Sequence, residues 1–289
     1  MTKRERITVR EAVDRYIKAK SAVLSPSTVA GYTRYKRLYL QDIFDKNIYT
    51  LTQEEFQLAV SIDATKFSPK TIRNACGLVN AAIKMFTKRE LSITMPQKIR
   101  TGFYVPEKEE IDRIYLLIKG TELEIPFLLA SQCGLRPSEI AALTIDDIIR
   151  NKIEITKAKV RGIYGDVVKP PKTFSGYRTI PISEEFARLL RDRSIKRHVT
   201  DLTSKQIGDK WIRFMNSNDL EYFRFYALRH YFASRALLLG VPQKYIAELM
   251  GHSSLAMIEQ VYQHTFPSAM LRYSMMISKE TDDLINLKE

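Results

Sequence analysis

Two cysteines, Cys76 and Cys133, are all that 289 residues carry. That is too few for a disulfide framework or a thiolate zinc site. The chain also lacks any run of 18 or more apolar residues, which argues against a membrane-spanning helix. Behind Met1-Thr-Lys-Arg-Glu-Arg6 there is no apolar core of a secretory signal. Internal repeats and low-complexity tracts are missing as well. These absences point to a cytoplasmic protein with no membrane partner. An apolar fraction of 45% and a charged fraction of 27% are those of a globular chain. The length suits one or two domains, each with core enough to fold.

What the chain has in excess is positive charge. The formal net charge is +13, which favours a polyanionic partner, nucleic acid first. Its distribution is uneven: residues 1–100 hold 19 Lys/Arg against 9 Asp/Glu, residues 101–289 hold 27 against 24. The N-terminal third reads as an electrostatic grip, the remainder as a more balanced body.

Four helices are expected in that third. Thr8 and Glu11 form a capping box, as do Thr52 and Glu55. Ser25-Pro26 and Ser68-Pro69 open two more, the former running through Val29, Tyr32 and Leu40. Arg34, Lys36, Arg37, Lys70 and Arg73 fall near helix starts or on exposed faces, where phosphate contact and plain solvation are both open to them. Met95 to Pro106 mixes proline, glycine and basic residues without periodicity and reads as a linker. The boundary is set near residue 102, giving domains 1–101 and 102–289.

Past the linker the pattern is mainly helical, with a small antiparallel sheet. Helices are expected from Pro106 to Ile118 and from Ile125 toward Gly134. Pro137-Ser-Glu-Ile opens another, which sets Arg136 at its N-terminal edge, beside backbone donors suited to an anion. Glu139 can orient Arg136 or complement the helix dipole. Strand character marks residues 152–157 and 165–171, and Lys172 is placed near a hairpin tip before Arg178-Thr-Ile-Pro-Ile. A lysine there is also what guards an edge strand.

The stretch from Phe225 carries the densest chemistry. Phe225, Leu228, Phe232, Ala236 and Leu239 recur at helical spacing, as in any amphipathic core helix. Yet Arg229, His252 and Tyr262 follow within it: a forked cation, a neutral-pH proton carrier and a potential oxygen nucleophile. Together they suit phosphoryl chemistry through a covalent tyrosine.

Gly134-Leu-Arg136-Pro-Ser-Glu-Ile, Lys172-Thr-Phe-Ser-Gly-Tyr-Arg178, Leu228-Arg-His, Gly251-His-Ser-Ser and Tyr262 together resemble the tyrosine recombinase (phage integrase) family, in that family's order. The resemblance implies an α+β fold: a four-helix core-binding domain, then a mostly helical catalytic domain. It implies a site-specific recombinase in which Tyr262 attacks a DNA phosphate to form a 3′-phosphotyrosyl link, with no cofactor, metal or ATP. Arg136 and Arg229 are similar to the phosphate clamps, Lys172 to the general acid, and His252 to a phosphate or tyrosine partner. The implied partner is double-stranded DNA held by a homotetramer, with room for an accessory directionality factor. One departure stands out, because the family's usual histidine is replaced by Tyr226. A tyrosine still donates a hydrogen bond, but its pKa near 10 makes it a poor base. Nothing ahead of the four helices resembles an arm-binding domain. A DNA-binding regulator and a type IB topoisomerase are the alternative readings. Covalent trapping tests the first, and joining of two duplexes the second.

Overall fold

The computed structural model describes residues 6–97 and 104–252, with 254–255, 258–259, 274–275, 278–279 and 285 beyond them. The chain divides into two compact units, residues 1–101 with 161–167, and residues 102–160 with 168–289. The sequence pattern assigns 161–167 to the second domain, whereas this short tip groups with the first unit.

Among the described residues the first unit holds α1 (Val9–Lys20), α2 (Pro26–Leu38), α3 (Gln41–Phe44), α4 (Gln53–Ala64) and α5 (Pro69–Thr87). Both capping boxes form. The Thr8 hydroxyl accepts the Glu11 N–H at 3.2 Å and the Glu11 carboxylate accepts the Thr8 N–H at 2.9 Å. Thr52 and Glu55 repeat the arrangement. Ser25 departs from expectation: its hydroxyl pairs with Ser27 at 3.0 Å, leaving Pro26 alone to open α2. So does Leu40. It lies beyond the end of α2 at φ +57, where Asp63 accepts its N–H at 2.7 Å. That left-handed turn ends the second helix early and makes room for short α3. The unit's core is continuous, with Val9, Ala12 and Val13 of α1 buried in one cluster with Ile72, Cys76, Val79 and Ile83 of α5. Each large apolar side chain buried there, such as Phe44 or Phe56, contributes roughly 1.5–3 kcal/mol.

The second unit is also mainly helical. Apart from the stretch 161–167, in which β3 ends and β4 begins, its elements are α6 (Lys108–Ile118), α7 (Glu124–Cys133), α8 (Pro137–Ile140), β1 (Ile148–Ile149), β2 (Lys152–Ile155), β3 (Ala158–Arg161), β4 (Asp166–Lys169), β5 (Arg178–Pro181), α9 (Glu184–Asp192), α10 (Ser204–Ser217), α11 (Ala227–Leu238) and α12 (Gln243–Met250). Strands β1, β2 and β5 form one antiparallel sheet in which Ile153 faces Ile180 and Ile155 faces Arg178. Strand β4 pairs with β3 instead of β5. The reason is burial. Ile153 and Ile180 are core residues, whereas the side chains of β4 are largely exposed. Lys172 therefore sits on the exposed connection from β4 to β5, not at the tip of a hairpin between them.

A second core cluster joins α6, α7, α10 and the start of α11 around fully buried Trp211, whose Nε1–H donates to the Phe223 carbonyl at 2.8 Å. Helix α10 opens on a capping box, Thr203 with Gln206. Leu239, expected on the apolar face of the central helix, is 72% exposed because α11 ends at Leu238. Both cysteines are buried, and burial pushes their thiols up to about 12, so neither is a nucleophile at neutral pH. No helix among the described residues is long and apolar enough to cross a membrane.

Candidate functional site

Two helix ends create the site. Helix α7 stops at Gly134 with φ +66, and α12 stops at Gly251 with φ +64. Both positions are left-handed caps that favour glycine. A Cβ on Gly134 would lie 2.6 Å from the Phe232 ring, and one on Gly251 would lie 2.9 Å from the Ser175 carbonyl. These caps leave backbone carbonyls at the negative ends of two helix dipoles, which attract cations.

Three guanidiniums take them. Arg229, in the first turn of α11, is wholly buried and donates to the carbonyls of Gly134 and Met250. Arg136, the N-cap of α8, donates from Nη2 to the Gly251 carbonyl at 3.1 Å. Arg178, on β5, donates from Nε to the Leu249 carbonyl at 2.6 Å. One buried carboxylate, Glu139, lies among them. It accepts from Arg136 Nη1 at 2.6 Å and from Arg178 Nη2 at 2.7 Å and Nη1 at 3.1 Å. Burial alone would raise the Glu139 pKa, but Arg178 first, then Arg136 and Arg229, hold it down at about 2. Burial, with Arg136 adding repulsion, pulls the Arg229 guanidinium down to about 9, so it remains a cation at neutral pH.

His252 completes the cluster from the residue after the α12 cap. Its Nε2 lies 2.7 Å from Arg229 Nη2. A guanidinium only donates, so Nε2 accepts and the imidazole proton is assigned to Nδ1. Burial, reinforced by Arg229, Arg136 and Arg178, lowers the His252 pKa to about 3 and keeps the ring neutral. Among the described residues His252 Nδ1 and Arg229 Nε are buried without a hydrogen-bond partner.

The sequence-predicted residues thus sort unevenly. Arg136, Arg229 and His252 come together. The two arginines are not equivalent, since Arg136 keeps 29% of its side chain exposed while Arg229 lies beneath the surface. Helix α8 spans only four residues, and Glu139 accepts the Arg136 N–H at 2.9 Å. The expected backbone anion site at that helix start is therefore replaced by guanidinium chemistry alone. Tyr226 is the N-cap of α11, and its ring meets His230 edge-on at 5.0 Å. Lys172 is exposed, in the connection whose Ser175 carbonyl lies near Gly251. Tyr262 lies outside the described residues.

Arg178 was missed among the candidate residues. A signal for it existed: in Arg178-Thr-Ile-Pro-Ile, strand alternation puts Arg178 on the face of buried Ile180. A buried arginine needs a partner, which made a nearby carboxylate predictable.

The basic residues of the first unit divide as well. Arg34 and Arg37, three apart on α2, and Lys70 at the start of α5 are exposed. Lys36 is turned to Asp14 on α1 at 2.6 Å. Arg73 is half-buried and donates to the Pro96 carbonyl at 2.7 Å, a structural tie rather than a free cation.

Comparison with known proteins adds ancestry to this geometry. The model of the phage integrase family matches residues 106–268, more than half of the chain. A tyrosine recombinase XerC-like protein of Caldanaerobacter subterraneus subsp. tengcongensis is 27% identical over 209 residues, covering 60% of this chain and 54% of that protein. The transposase of transposon Tn916 from Enterococcus faecalis is 29% identical, covering 50% of this chain and 42% of its own. The chain thus spans about half the length of these two relatives. Tyrosine recombinase XerA of Thermococcus kodakarensis is 26% identical over 82% of this chain and 84% of its own length. In fold, the chain is similar to a Tn1549 transposon integrase in complex with a circular intermediate DNA, with a TM-score of 0.76 at 19% identity, covering 93% of this chain and 99% of that one. By the extent of the family match, the chain belongs to the phage integrase family, the tyrosine recombinases.

Proposed function

We propose that the chain is a site-specific DNA recombinase that cuts and rejoins strands through Tyr262. The observation that carries this reading is the convergence of Arg136, Arg229 and His252 at two helix ends, around a single carboxylate. With His252 neutral, the three guanidiniums of Arg136, Arg178 and Arg229 held against one anion leave a local positive excess. A phosphodiester gaining charge in its transition state is the natural counterion.

In this reading the Tyr262 hydroxyl gives its proton to water as its oxygen attacks phosphorus, a P–O bond to tyrosine forms, and the bond to the 5′ oxygen breaks. Lys172 gives that oxygen its proton. Arg136, the partly exposed guanidinium, contacts a non-bridging oxygen directly. Arg229 adds charge from beneath, and its Nε–H and the His252 Nδ1–H are donors that a phosphate oxygen would satisfy. The phosphate stays a diester, so a second 5′-hydroxyl reverses the step on another duplex. The first unit supplies the grip through Arg34, Arg37 and Lys70, with Lys36 and Arg73 secondary. Assembly as a homotetramer on two DNA sites follows the same reading. A lambda integrase tetramer bound to a Holliday junction is among its structural neighbours, with a TM-score of 0.65 at 16% identity.

The test uses nicked duplexes carrying the junctions that flank the gene. The chain should form a denaturant-resistant adduct with them, and Tyr262→Phe should bind but form none. An adduct that persists in Tyr262→Phe, or maps to Tyr273, contradicts the assignment. Joining between two duplexes distinguishes a recombinase from a topoisomerase, which relaxes arbitrary supercoiled plasmid instead.

A further inference from the structure

We infer that Arg178 is a positioning residue for Arg136, acting through Glu139, and that it fixes the geometry of the phosphate clamp without touching phosphate. The inference rests on the functional reading above for what the clamp does, and on the following contacts for how it is held.

Each oxygen of Glu139 bridges the two arginines. Oε1 accepts from Arg136 Nη1 at 2.6 Å and from Arg178 Nη1 at 3.1 Å. Oε2 accepts the Arg136 backbone N–H at 2.9 Å and Arg178 Nη2 at 2.7 Å. Glu139 therefore holds Arg136 at both its main chain and its guanidinium, while Arg178 holds both oxygens of Glu139. Arg178 Nε is tied to the Leu249 carbonyl at 2.6 Å, and Nη1 also donates to the Gly176 carbonyl at 3.4 Å. Its plane is thus fixed to α12, the helix whose cap carries the Gly251 acceptor of Arg136 and then His252. The Arg178 side chain is only 5% exposed and its Nε, Nη1 and Nη2 are all engaged by protein acceptors, unlike Arg229, whose Nε–H has no partner, so Arg178 has no nitrogen left to offer a ligand. Sheet, α8 and α12 meet on one guanidinium fork. A lysine, with its three donors on one atom, cannot span both carboxylate oxygens and reach the Leu249 carbonyl from a separate nitrogen.

Charge makes the same point. Arg178 shares the Glu139 carboxylate, which weakens that carboxylate's hold on Arg136 and leaves Arg136 donors for phosphate. Without Arg178, a buried carboxylate has Arg136 as its one remaining contacting cation. It then either closes on Arg136 as a competitor of the phosphate or takes up a proton and lets Arg136 swing. The charged groups facing Glu139 are Arg136 on its own helix, Arg178 from β5 and Arg229 from α11.

The experiment compares wild type, Arg178→Gln, Glu139→Gln and the double variant in single-turnover cleavage of the flanking-junction duplexes between pH 5 and 8, alongside duplex affinity and thermal unfolding. Arg178→Lys stands in should Arg178→Gln not fold. Cleavage by the Arg178 variant should fall about 10²-fold, the cost of misplacing a reacting group by an ångström, with affinity changed less than about threefold. Its rate should also fall toward acid pH in a way the wild type does not. The double variant should be no slower than Glu139→Gln, because one residue acts through the other. Cleavage within about threefold of wild type, or single effects that multiply in the double variant, overturns the inference. The order of the Arg136 side chain, read from its Nε–H resonance without DNA, separates this inference from the functional reading. Wild type forming no adduct defeats only the latter, whereas an Arg136 resonance unchanged by the Arg178 substitution defeats the inference in either case.

Discussion

Arg229 Nη2 and His252 Nε2 meet at 2.7 Å, which makes the imidazole an acceptor and keeps it uncharged. The pair joins the start of α11 to the end of α12. A pH dependence follows with a definite sign. The His252 pKa is lowered from 6.5 to about 3 by burial, then by the surrounding arginines. That of His230 is lowered to about 4 by burial and Arg229. Since the unfolded chain binds these protons first, stability is fully present above about 6.5 and declines as pH falls toward about 3. Glu139 acts in the same direction lower down, its contribution present above about 4.5 and lost toward about 2. The melting temperature should therefore drop between pH 7 and 4, and His252→Gln should flatten part of that slope. A constant melting temperature across this range contradicts a neutral, arginine-bound His252.

Removing Arg229 should cost stability as well as activity. Its two carbonyl acceptors lie in the interior, and each orphaned carbonyl costs about 1–3 kcal/mol. Arg229→Lys keeps the charge and loses the fork, so urea unfolding should show a loss on that scale. Full retention of stability would place Arg229 at the surface, against its burial.

Local signals in the chain were readable and long-range ones were not. Thr8 with Glu11 and Thr52 with Glu55 announce helices because both partners lie within one turn. Leu40 was misjudged because its turn depends on Asp63, 23 residues away. The pairing of β5 with β2 rather than β4 was invisible for the same reason, although Gly162 and Gly165 mark the β3–β4 turn through the bond from Gly162 N to Gly165 O at 2.7 Å. In the site, motif order brought out Arg136, Arg229 and His252. Strand alternation could put Arg178 on the buried face, but which carboxylate it meets was hidden because Glu139 is 39 positions upstream.

Exposure of Lys172 on a connection gives its assignment a clear trial. As general acid, Lys172→Ala should slow cleavage by roughly 10²–10⁴-fold. A duplex with sulfur as the bridging 5′ leaving atom needs no protonation and should restore the rate. Without that rescue the proton comes from elsewhere, and Lys169 at the end of β4 becomes the first residue to test.

Truncating residues 1–100 should flatten the salt dependence of DNA binding, since most of the net positive charge lies there. For every phosphate that the protein no longer neutralises, the slope of log K against log salt should shrink by about one unit. Arg34, Arg37 and Lys70 should each contribute to this change. Arg73, bound to the Pro96 carbonyl, should contribute little. An unchanged slope in the 103–289 fragment moves the grip to the second unit.

Tyr226 is where the chain leaves its family's pattern, and its surroundings define two outcomes. The residue caps α11 three positions before Arg229, and its ring meets His230 at an interplanar angle of 73°. If the hydroxyl donates to the phosphate held by Arg136 and Arg229, Tyr226→Phe keeps the ring pairing and removes only the donor. Transition-state stabilisation should then drop by about 1.5–3 kcal/mol, typical of a bond to a charged partner. Tyr226→His retains a donor and should keep most of the activity. If packing on His230 is the whole role, the order inverts: Phe preserves the edge-on pair and His disturbs it. Single-turnover cleavage by the two variants decides between them, and a fully active Phe variant ends the donor assignment.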